Sequence, residues 1–214
     1  MTRLILIRHG FSVANAEHRF AGHSDFPLSD IGHEQARLAA EYLFANEKID
    51  KIYASDLARA YHTATPVGEK FGLDVIPEPR LREIYAGRWE GMLFDDIAST
   101  YSEDFFVWRN DFSRARCTEG ESTTQLYHRI IAAVLDLAEE NDGKCILLAS
   151  HATPLRAVTC FAAGKGADEI GDFNFPTNAS IQYYRYENGR LTVERENVID
   201  HLDGLVTALP RGVE

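Results

Sequence analysis

Residues 4–10 read Leu-Ile-Leu-Ile-Arg-His-Gly, an apolar run that ends abruptly in Arg, His and Gly. Residues 145–151 read Cys-Ile-Leu-Leu-Ala-Ser-His and follow the same arrangement. Short, wholly apolar runs are typical of parallel strands that are buried on both faces of a sheet. We therefore predict strands at 4–7 and 145–149, each followed closely by a histidine.

The rest of the chain alternates strand and helix patterns. Asn188-Gly189 is a strong hairpin turn signal between two strand candidates. Alternating strand–helix units with a terminal hairpin predict an α/β fold, in which helices cover both sides of a mostly parallel sheet. The other predicted elements are strands at 51–54, 74–76, 180–186 and 191–194, and helices that begin at Ser29, Leu57, Ser122 and Pro154, the second bent or broken at Pro66.

The composition is that of an acidic globular protein. Of the 214 residues, 45% are hydrophobic and 26% are charged, which excludes a disordered or fibrous chain and suits a single domain over 1–214. The net charge of −11 argues against nucleic acid or an anionic membrane as a partner, because either needs a basic surface. Any anion-binding site must therefore be a local exception, built from a few arginines and histidines.

Cysteine usage and hydropathy indicate the compartment. The cysteines at 117, 145 and 160 are odd in number and form no C-x-x-C pair, so we interpret them as buried free thiols in a reducing cytosol. The apolar run before Arg8 is too short for a signal-peptide core, and no stretch approaches the length of a membrane span. We expect a soluble, cytoplasmic protein with no membrane partner.

Parallel sheets bind ligands at the carboxyl ends of their strands. Arg8 and His9 follow the first predicted strand, and His151 follows the strand at 145–149. Arg59 lies about one turn into the helix after another strand, and Glu83 follows a further strand candidate. Each residue alone has a structural explanation, such as a solvated arginine or a histidine satisfied by local hydrogen bonds. Their shared position beyond strands predicts one common site.

Such a site would transfer a phosphoryl group. Two guanidiniums match the oxygens of a phosphate and stabilise the charge on them, and a second histidine, if protonated, adds a third donor. One neutral imidazole nitrogen can attack phosphorus to give a phosphohistidine, and a carboxylic acid can protonate the leaving oxygen. Gly10 would let the backbone approach the phosphate. This chemistry needs no metal and no cofactor.

A series of short motifs carries a family resemblance. The motifs are Arg8-His9-Gly10, Arg19-Phe20-Ala21-Gly22, Ser55-Asp56-Leu57-x-Arg59-Ala60, Leu81-x-Glu83, Gly87-x-Trp89-Glu90-Gly91, Gly120-Glu121-Ser122 and Ser150-His151. In this order they resemble the histidine phosphatase superfamily, the phosphoglycerate-mutase-like proteins, over nearly the whole chain. The resemblance implies a three-layer α/β/α sandwich, with His9 as the phosphorylated nucleophile and Glu83 as the proton donor. It also implies a phosphate pocket formed by Arg8, Arg59 and His151.

The resemblance extends to the walls of that pocket. It implies that Asn15 helps to hold the phosphoryl group, with Ser12, Ala21 and Gly22 lining the nearby wall. The family usually has Gly after the second histidine, where this chain has Ala152. Alanine keeps its backbone N–H, so we expect this substrate-binding position to give a tighter pocket that still functions.

Within the family the choice lies between hydrolysis and mutase chemistry. The motifs at 87–91 and 120–122 look like those of the broad-specificity phosphatases. A mutase must hold a second anion, and here Arg114 and Arg116 are split by Ala115. We favour hydrolysis of a small-molecule phosphate ester, with a cofactor-dependent phosphoglycerate mutase as the alternative. A homodimer is compatible with the sequence.

Two further classes of protein are alternatives. A non-catalytic phospholigand-binding module predicts the loss of a catalytic residue, yet all five residue types are present. A zinc hydrolase is conceivable because the chain has eight histidines, but no H-E-x-x-H or comparable ligand spacing occurs.

Aromatic residues are concentrated in a segment at about 85–120, which we interpret as lid-like. Most of them suit packing in the core or the lid. We predict that three aromatic residues reach the pocket: Tyr85 and Trp89 of this segment, and Phe11, which follows Gly10. These contacts favour a substrate that is partly apolar or planar beyond its phosphate.

Overall fold

A six-stranded sheet organises the computed structural model, which describes residues 1–208. The strand order is β3-β2-β4-β1-β5-β6. The first four strands in that order run parallel, and β5 and β6 form an antiparallel hairpin beside β1. The predicted sheet is therefore confirmed. The strands are β1 (Thr2–Arg8), β2 (Lys51–Ala54), β3 (Val75–Pro77), β4 (Cys145–Ser150), β5 (Ile181–Glu187) and β6 (Arg190–Val198).

Helices follow most of the strands, together with short 3-10 helices in the connections. The two longest helices begin at side-chain caps: the Ser29 hydroxyl accepts from Gly32 N–H and the Ser122 hydroxyl accepts from Gln125 N–H. The α-helices are α1 (Val13–Ala16), α2 (Asp30–Asn46), α3 (Ala58–Phe71), α4 (Phe94–Thr100), α5 (Ser102–Asn110), α6 (Thr123–Glu140) and α7 (Ala152–Ala162).

The two faces of the sheet are covered by different helices. Along β1, Leu4 and Leu6 pack in the cluster formed with α6 and α7, while Ile5 and Ile7 pack in the cluster formed with α2 and α3. Successive side chains of a strand point to opposite faces, so a wholly apolar strand serves both layers. The three-layer α/β/α sandwich is thus confirmed.

Two helix predictions need correction. Pro154 is the third residue of α7 and not its first, because His151 occupies the N-cap position and the helix begins at Ala152. Pro66 does not break α3, which is continuous to Phe71. Pro66 is only half-buried, so water can replace the one helical hydrogen bond that proline removes.

The aromatic segment packs in the same core cluster as α6 and α7. Trp89 is fully buried and contacts the rings of Phe20, Phe105 and Trp108 edge-on. Cys117, like the other two cysteines, is free and buried, as predicted. No helix among residues 1–208 is long and apolar enough to cross a bilayer. The single domain over 1–214 and its lid remain predictions, and residues 209–214 lie outside the described part.

Candidate active site

Sheet register brings the two histidines to one place. Arg8 is paired with Ser150 across β1 and β4, so His9 and His151 leave adjacent parallel strands at the same edge. The backbone N–H of His9 donates to the carbonyl of Ser150 at 2.9 Å. The two imidazole centroids lie 5.2 Å apart, as expected from strand ends that converge.

His9 is held in a form that suits a nucleophile. Its Nδ1 lies 2.7 Å from the carbonyl oxygen of Gly10. A carbonyl can only accept, so Nδ1 carries the hydrogen and Nε2 keeps its lone pair. Burial, together with the nearby charges of Arg59 and Arg8, lowers the pKa of His9 well below its ordinary value. The ring is therefore neutral at neutral pH.

Both buried arginines are anchored by backbone carbonyls. Arg8 Nη1 donates to the carbonyl of Pro176 at 2.6 Å. Arg59 donates through Nη1 to Ser24 and through Nη2 to Gly22, at 2.9 and 2.7 Å. Burial lowers the pKa of each guanidinium to about 10, which leaves both protonated at neutral pH. The Nε of each arginine is buried without a hydrogen-bond partner in residues 1–208, so a donor remains on each for an anion.

His151 is positioned by a serine that follows β2. Its Nε2 lies 2.8 Å from the Ser55 hydroxyl, and its buried Nδ1 has no partner within residues 1–208. Burial and the charge of Arg59 lower the pKa of His151 well below its ordinary value. The free protein therefore carries a neutral His151 at neutral pH, which still has one ring N–H to donate.

Glu83 is placed by contacts on both its side chain and its backbone. Its Oε1 accepts from the N–H of Ile84 at 2.9 Å, and its Oε2 accepts a long bond of 3.4 Å from Thr153 at the start of α7. Its backbone carbonyl accepts from Arg129, whose guanidinium is also paired with Glu121 at 2.8 Å. The carboxyl group is thereby fixed beside the helix that His151 caps.

A cavity of about 70 Å³ lies among these groups. Arg8, His9, Arg59 and Glu83 line it, and so do the predicted wall residues Asn15, Ala21, Gly22 and Ala152. His151 does not line the cavity but lies next to the His9 ring. Within residues 1–208, no group of three His, Cys, Asp or Glu side chains is arranged to hold a metal ion.

Ser12 does not line the cavity, contrary to the prediction. It is fully buried and caps α1, where its hydroxyl accepts from the N–H of Asn15 at 3.2 Å. The cap orients Asn15, whose Oδ1 also accepts from Asn178 Nδ2 at 3.3 Å. Asn178 donates to the carbonyl of His9 as well, at 3.1 Å. Ser12 therefore acts on the site through Asn15.

The predicted aromatic contacts are wrong. Trp89 is fully buried in the core, Tyr85 is 46% exposed and packs on His23, and neither lines the cavity. Phe11 is half-buried and also lies outside the lining. The spacing of the aromatic residues along the chain has no regular period. It therefore does not distinguish an aromatic residue that lines the cavity from one that packs in the core. The aromatic lining is formed by Phe20, Phe94, Trp108 and Phe175.

Sequence reasoning missed other residues near the site. Arg19 and Thr153 line the cavity, and Asn178 holds the backbone of His9. Asn178 precedes β5, which runs antiparallel to β1. The start of an antiparallel strand lies at the same sheet edge as the ends of its neighbours that run the other way. The predicted hairpin could therefore have indicated that Asn178 lies near His9.

Gly10 is required by a contact that the sequence did not predict. A Cβ at Gly10 would stand 2.5 Å from the carbonyl oxygen of Gly32, and a Cβ at Gly32 would stand 2.1 Å from that of Phe11. The two glycines thus let the nucleophile loop contact the backbone of α2. Close approach to helix α2 therefore requires this glycine, and its approach to the phosphate stays a prediction.

Several known proteins are similar to this chain in sequence or in fold. The chain is 34% identical over 202 residues to phosphoserine phosphatase 1 of Hydrogenobacter thermophilus, covering 94% of this chain and 95% of that protein. It is 37% identical over 159 residues to the probable phosphoglycerate mutase GpmB of Yersinia pestis, covering 72% of each. A mycobacterial glucosyl-3-phosphoglycerate phosphatase, solved with vanadate, superposes with a TM-score of 0.84 at 28% identity, over 92% of this chain and 99% of that one. Because the family profile matches residues 4–199, the chain belongs to the histidine phosphatase superfamily (branch 1).

Proposed function

We propose that the protein hydrolyses phosphomonoesters through a phosphohistidine on His9. One observation carries the assignment of the nucleophile. The Gly10 carbonyl fixes the His9 proton on Nδ1, and burial keeps the ring neutral, so the Nε2 lone pair is free to attack. A non-catalytic module would lack one of the reacting groups, whereas His9, Glu83, Arg8 and Arg59 all line one cavity.

The reaction balances in two steps. In the first, Nε2 of His9 attacks phosphorus, the ester P–O bond breaks, and protonated Glu83 gives its proton to the departing alkoxide. In the second, the Glu83 carboxylate takes a proton from water, the water oxygen attacks phosphorus, and the N–P bond breaks to release phosphate. Arg8 and Arg59 stabilise the charge on the phosphoryl oxygens in both steps, with His151 beside them as a further donor.

Mutase chemistry is the second candidate, because one relative is named a probable phosphoglycerate mutase. A mutase needs a second anion site that keeps its substrate bound near the phosphoenzyme. The Arg114 side chain is 82% exposed, and neither it nor Arg116 lines the cavity. The remaining arginine of the lining, Arg19, is paired with Glu17 at 2.6 Å. None of these three arginines forms a second anion site within this cavity, which supports hydrolysis.

The alcohol portion of the substrate contacts an aromatic wall. Phe20, Phe94, Trp108 and Phe175 line the cavity and favour a partly apolar group beyond the phosphate. Two relatives are named for phosphoserine and glucosyl-3-phosphoglycerate, both small phosphate esters. A small-molecule ester is therefore the proposed substrate. The cytoplasmic location and the homodimer remain predictions.

A phosphate-release screen over many metabolites tests this proposal. It is run beside an assay for interconversion of 3- and 2-phosphoglycerate with the bisphosphate primer. We expect release of inorganic phosphate from several esters and little interconversion. Efficient interconversion with negligible phosphate release would establish the mutase instead, and no turnover in either assay would contradict both.

A further inference from the structure

A second and larger cavity adjoins the first. This distal cavity measures about 700 Å³ and shares two of its wall residues, Trp108 and Phe175, with the catalytic cavity. The catalytic cavity, at about 70 Å³, is much the smaller of the two. The distal cavity is therefore the adjoining space for the rest of a larger substrate.

A buried arginine with free donors lies against the distal cavity. Arg156 is 7% exposed, and its guanidinium packs against the rings of both Phe112 and Phe175, at 4.3 and 4.4 Å from their centroids. Its Nη2 donates to the carbonyl of Gly171 at 2.7 Å. Its Nε is buried without a partner within residues 1–208, and no carboxylate of that part forms an ion pair with the guanidinium. Cation–π contacts offset only part of the cost of burying this charge.

Helix α7 places Arg156 next to the reacting groups. Thr153 lines the catalytic cavity and precedes Arg156 by three residues. Residues three apart on a helix share a face, with their Cβ atoms about 5–6 Å apart. A ligand that extends from the phosphate pocket past Trp108 and Phe175 therefore meets the Arg156 guanidinium.

We propose that Arg156 determines specificity, by binding an anionic group, a carboxylate or a second phosphate, on the alcohol portion of the substrate. This inference rests on the proposed phosphatase function. The distal cavity is also lined by three carboxylates and a second arginine, namely Asp111, Asp168, Asp172 and Arg109. The attraction for an anion is therefore local to Arg156, and a ligand with negative charge along its whole length is disfavoured.

Arg156 also supports the segment 171–176, so its replacement could change activity indirectly, through the structure of that segment. The segment 171–176 is held at one end by Arg156, through Gly171, and at the other by Arg8, through Pro176. Loss of Arg156 could move Arg8, which acts on the phosphate common to every substrate. Such an effect lowers kcat/KM for all phosphomonoesters equally. Recognition of a distal anion instead changes the ratio of kcat/KM between substrates with and without that anion.

Paired synthetic substrates separate the two effects. Phosphooxyalkanoates of increasing chain length are compared with their carboxamides, which lack the carboxylate charge. A second series, of ω-phosphorylated alkyl phosphates, tests whether a second phosphate is bound in the same way. We expect the native enzyme to prefer the anionic partner at one range of chain lengths. Arg156→Gln should lower that preference by about tenfold or more, since a charge-assisted hydrogen bond is lost. Arg156→Lys, which keeps the charge, should restore part of it, and the exposed Arg116→Gln should leave it unchanged.

Each outcome has a distinct meaning. An equal loss on both members of a pair makes Arg156 a support of segment 171–176 and overturns the proposal. So does a native enzyme that hydrolyses these esters with no anion preference at any chain length, a result that requires no variant to fold. If the native enzyme hydrolyses no phosphomonoester, the proposed function itself fails.

Discussion

The catalytic cavity is lined by a strand-end cluster (Arg8, His9 and Arg59) and by an aromatic wall, and different forces position these two regions. Arg8, His9 and Arg59 are each fixed by backbone carbonyls at 2.6–2.9 Å. The aromatic wall is held by ring packing, such as Phe20 against Trp108 with centroids 5.0 Å apart. Directional hydrogen bonds fix a geometry, whereas apolar contacts tolerate exchange of similar shapes. The cluster should therefore control the rate, and the wall should control the choice of substrate.

The largest expected effect follows from removing the nucleophile. His9→Ala should lower kcat by about 10⁴-fold or more, because no other group carries the phosphoryl intermediate. Steady-state phosphate release measures the loss. His62→Ala, an exposed histidine of α3, is the matched control and should retain native activity. Substantial turnover by His9→Ala would remove this residue from the chemistry.

The next effect tests the forked geometry of Arg59. Its guanidinium bonds two carbonyls and still has Nε free, which an ammonium group cannot reproduce. Arg59→Lys should therefore lower kcat/KM by about 10²-fold, in line with the loss of a charge-assisted donor. Arg37→Lys, on the exposed face of α2, is the control. Native rates for Arg59→Lys would show that charge alone suffices.

The aromatic region should respond in stability and in selectivity, at different residues. Trp89→Phe should lower the free energy of unfolding by about 1–3 kcal/mol, from lost packing and the lost bond to Thr118. Its selectivity between aryl and small hydrophilic phosphates should stay native. Trp108→Phe should change that selectivity, because Trp108 lines the cavity. Denaturant unfolding and paired kcat/KM values measure the two effects, and a selectivity change in Trp89→Phe alone would reverse the assignment.

The smallest expected effect is on the pH dependence of stability. Burial lowers the pKa of His9, His151 and His201, so the folded protein binds fewer protons than the unfolded chain just below pH 6.5. Stability should be complete above that pH and fall as the pH drops, by up to about 1.4 kcal/mol per pH unit for each histidine. Urea unfolding between pH 7 and 5 measures the slope, which His151→Asn should reduce. A slope that is flat in the native protein would contradict the buried neutral state.

The strand-end cluster was predictable because it depends on chain order. A buried strand that ends in a histidine fixes where that side chain emerges, and parallel pairing places His9 beside His151. The aromatic wall was not predictable in the same way. Trp89 and Trp108 come from one irregular aromatic segment, and only tertiary packing decides that the first is in the core and the second reaches the cavity.

Two details of the observed fold also differ from the sequence-based prediction. Pro154 lies two residues further into α7 than predicted, because His151 serves as the cap and no local pattern marks a histidine for that role. The close contact of Gly10 with Gly32 joins segments that are distant in sequence. Features that follow from where strands end were thus predicted well, whereas an unusual cap and the packing of distant segments were not.

Direct detection of the phosphoenzyme tests the central claim. The native protein is mixed with a rapidly turned-over phosphomonoester and quenched in alkali, which preserves phosphohistidine, and its peptides are analysed by mass spectrometry. We predict an acid-labile phosphoryl group on the peptide that contains His9, formed as fast as the ester is cleaved. A phosphoryl group on another residue, or full turnover with no labelled peptide, would contradict the account.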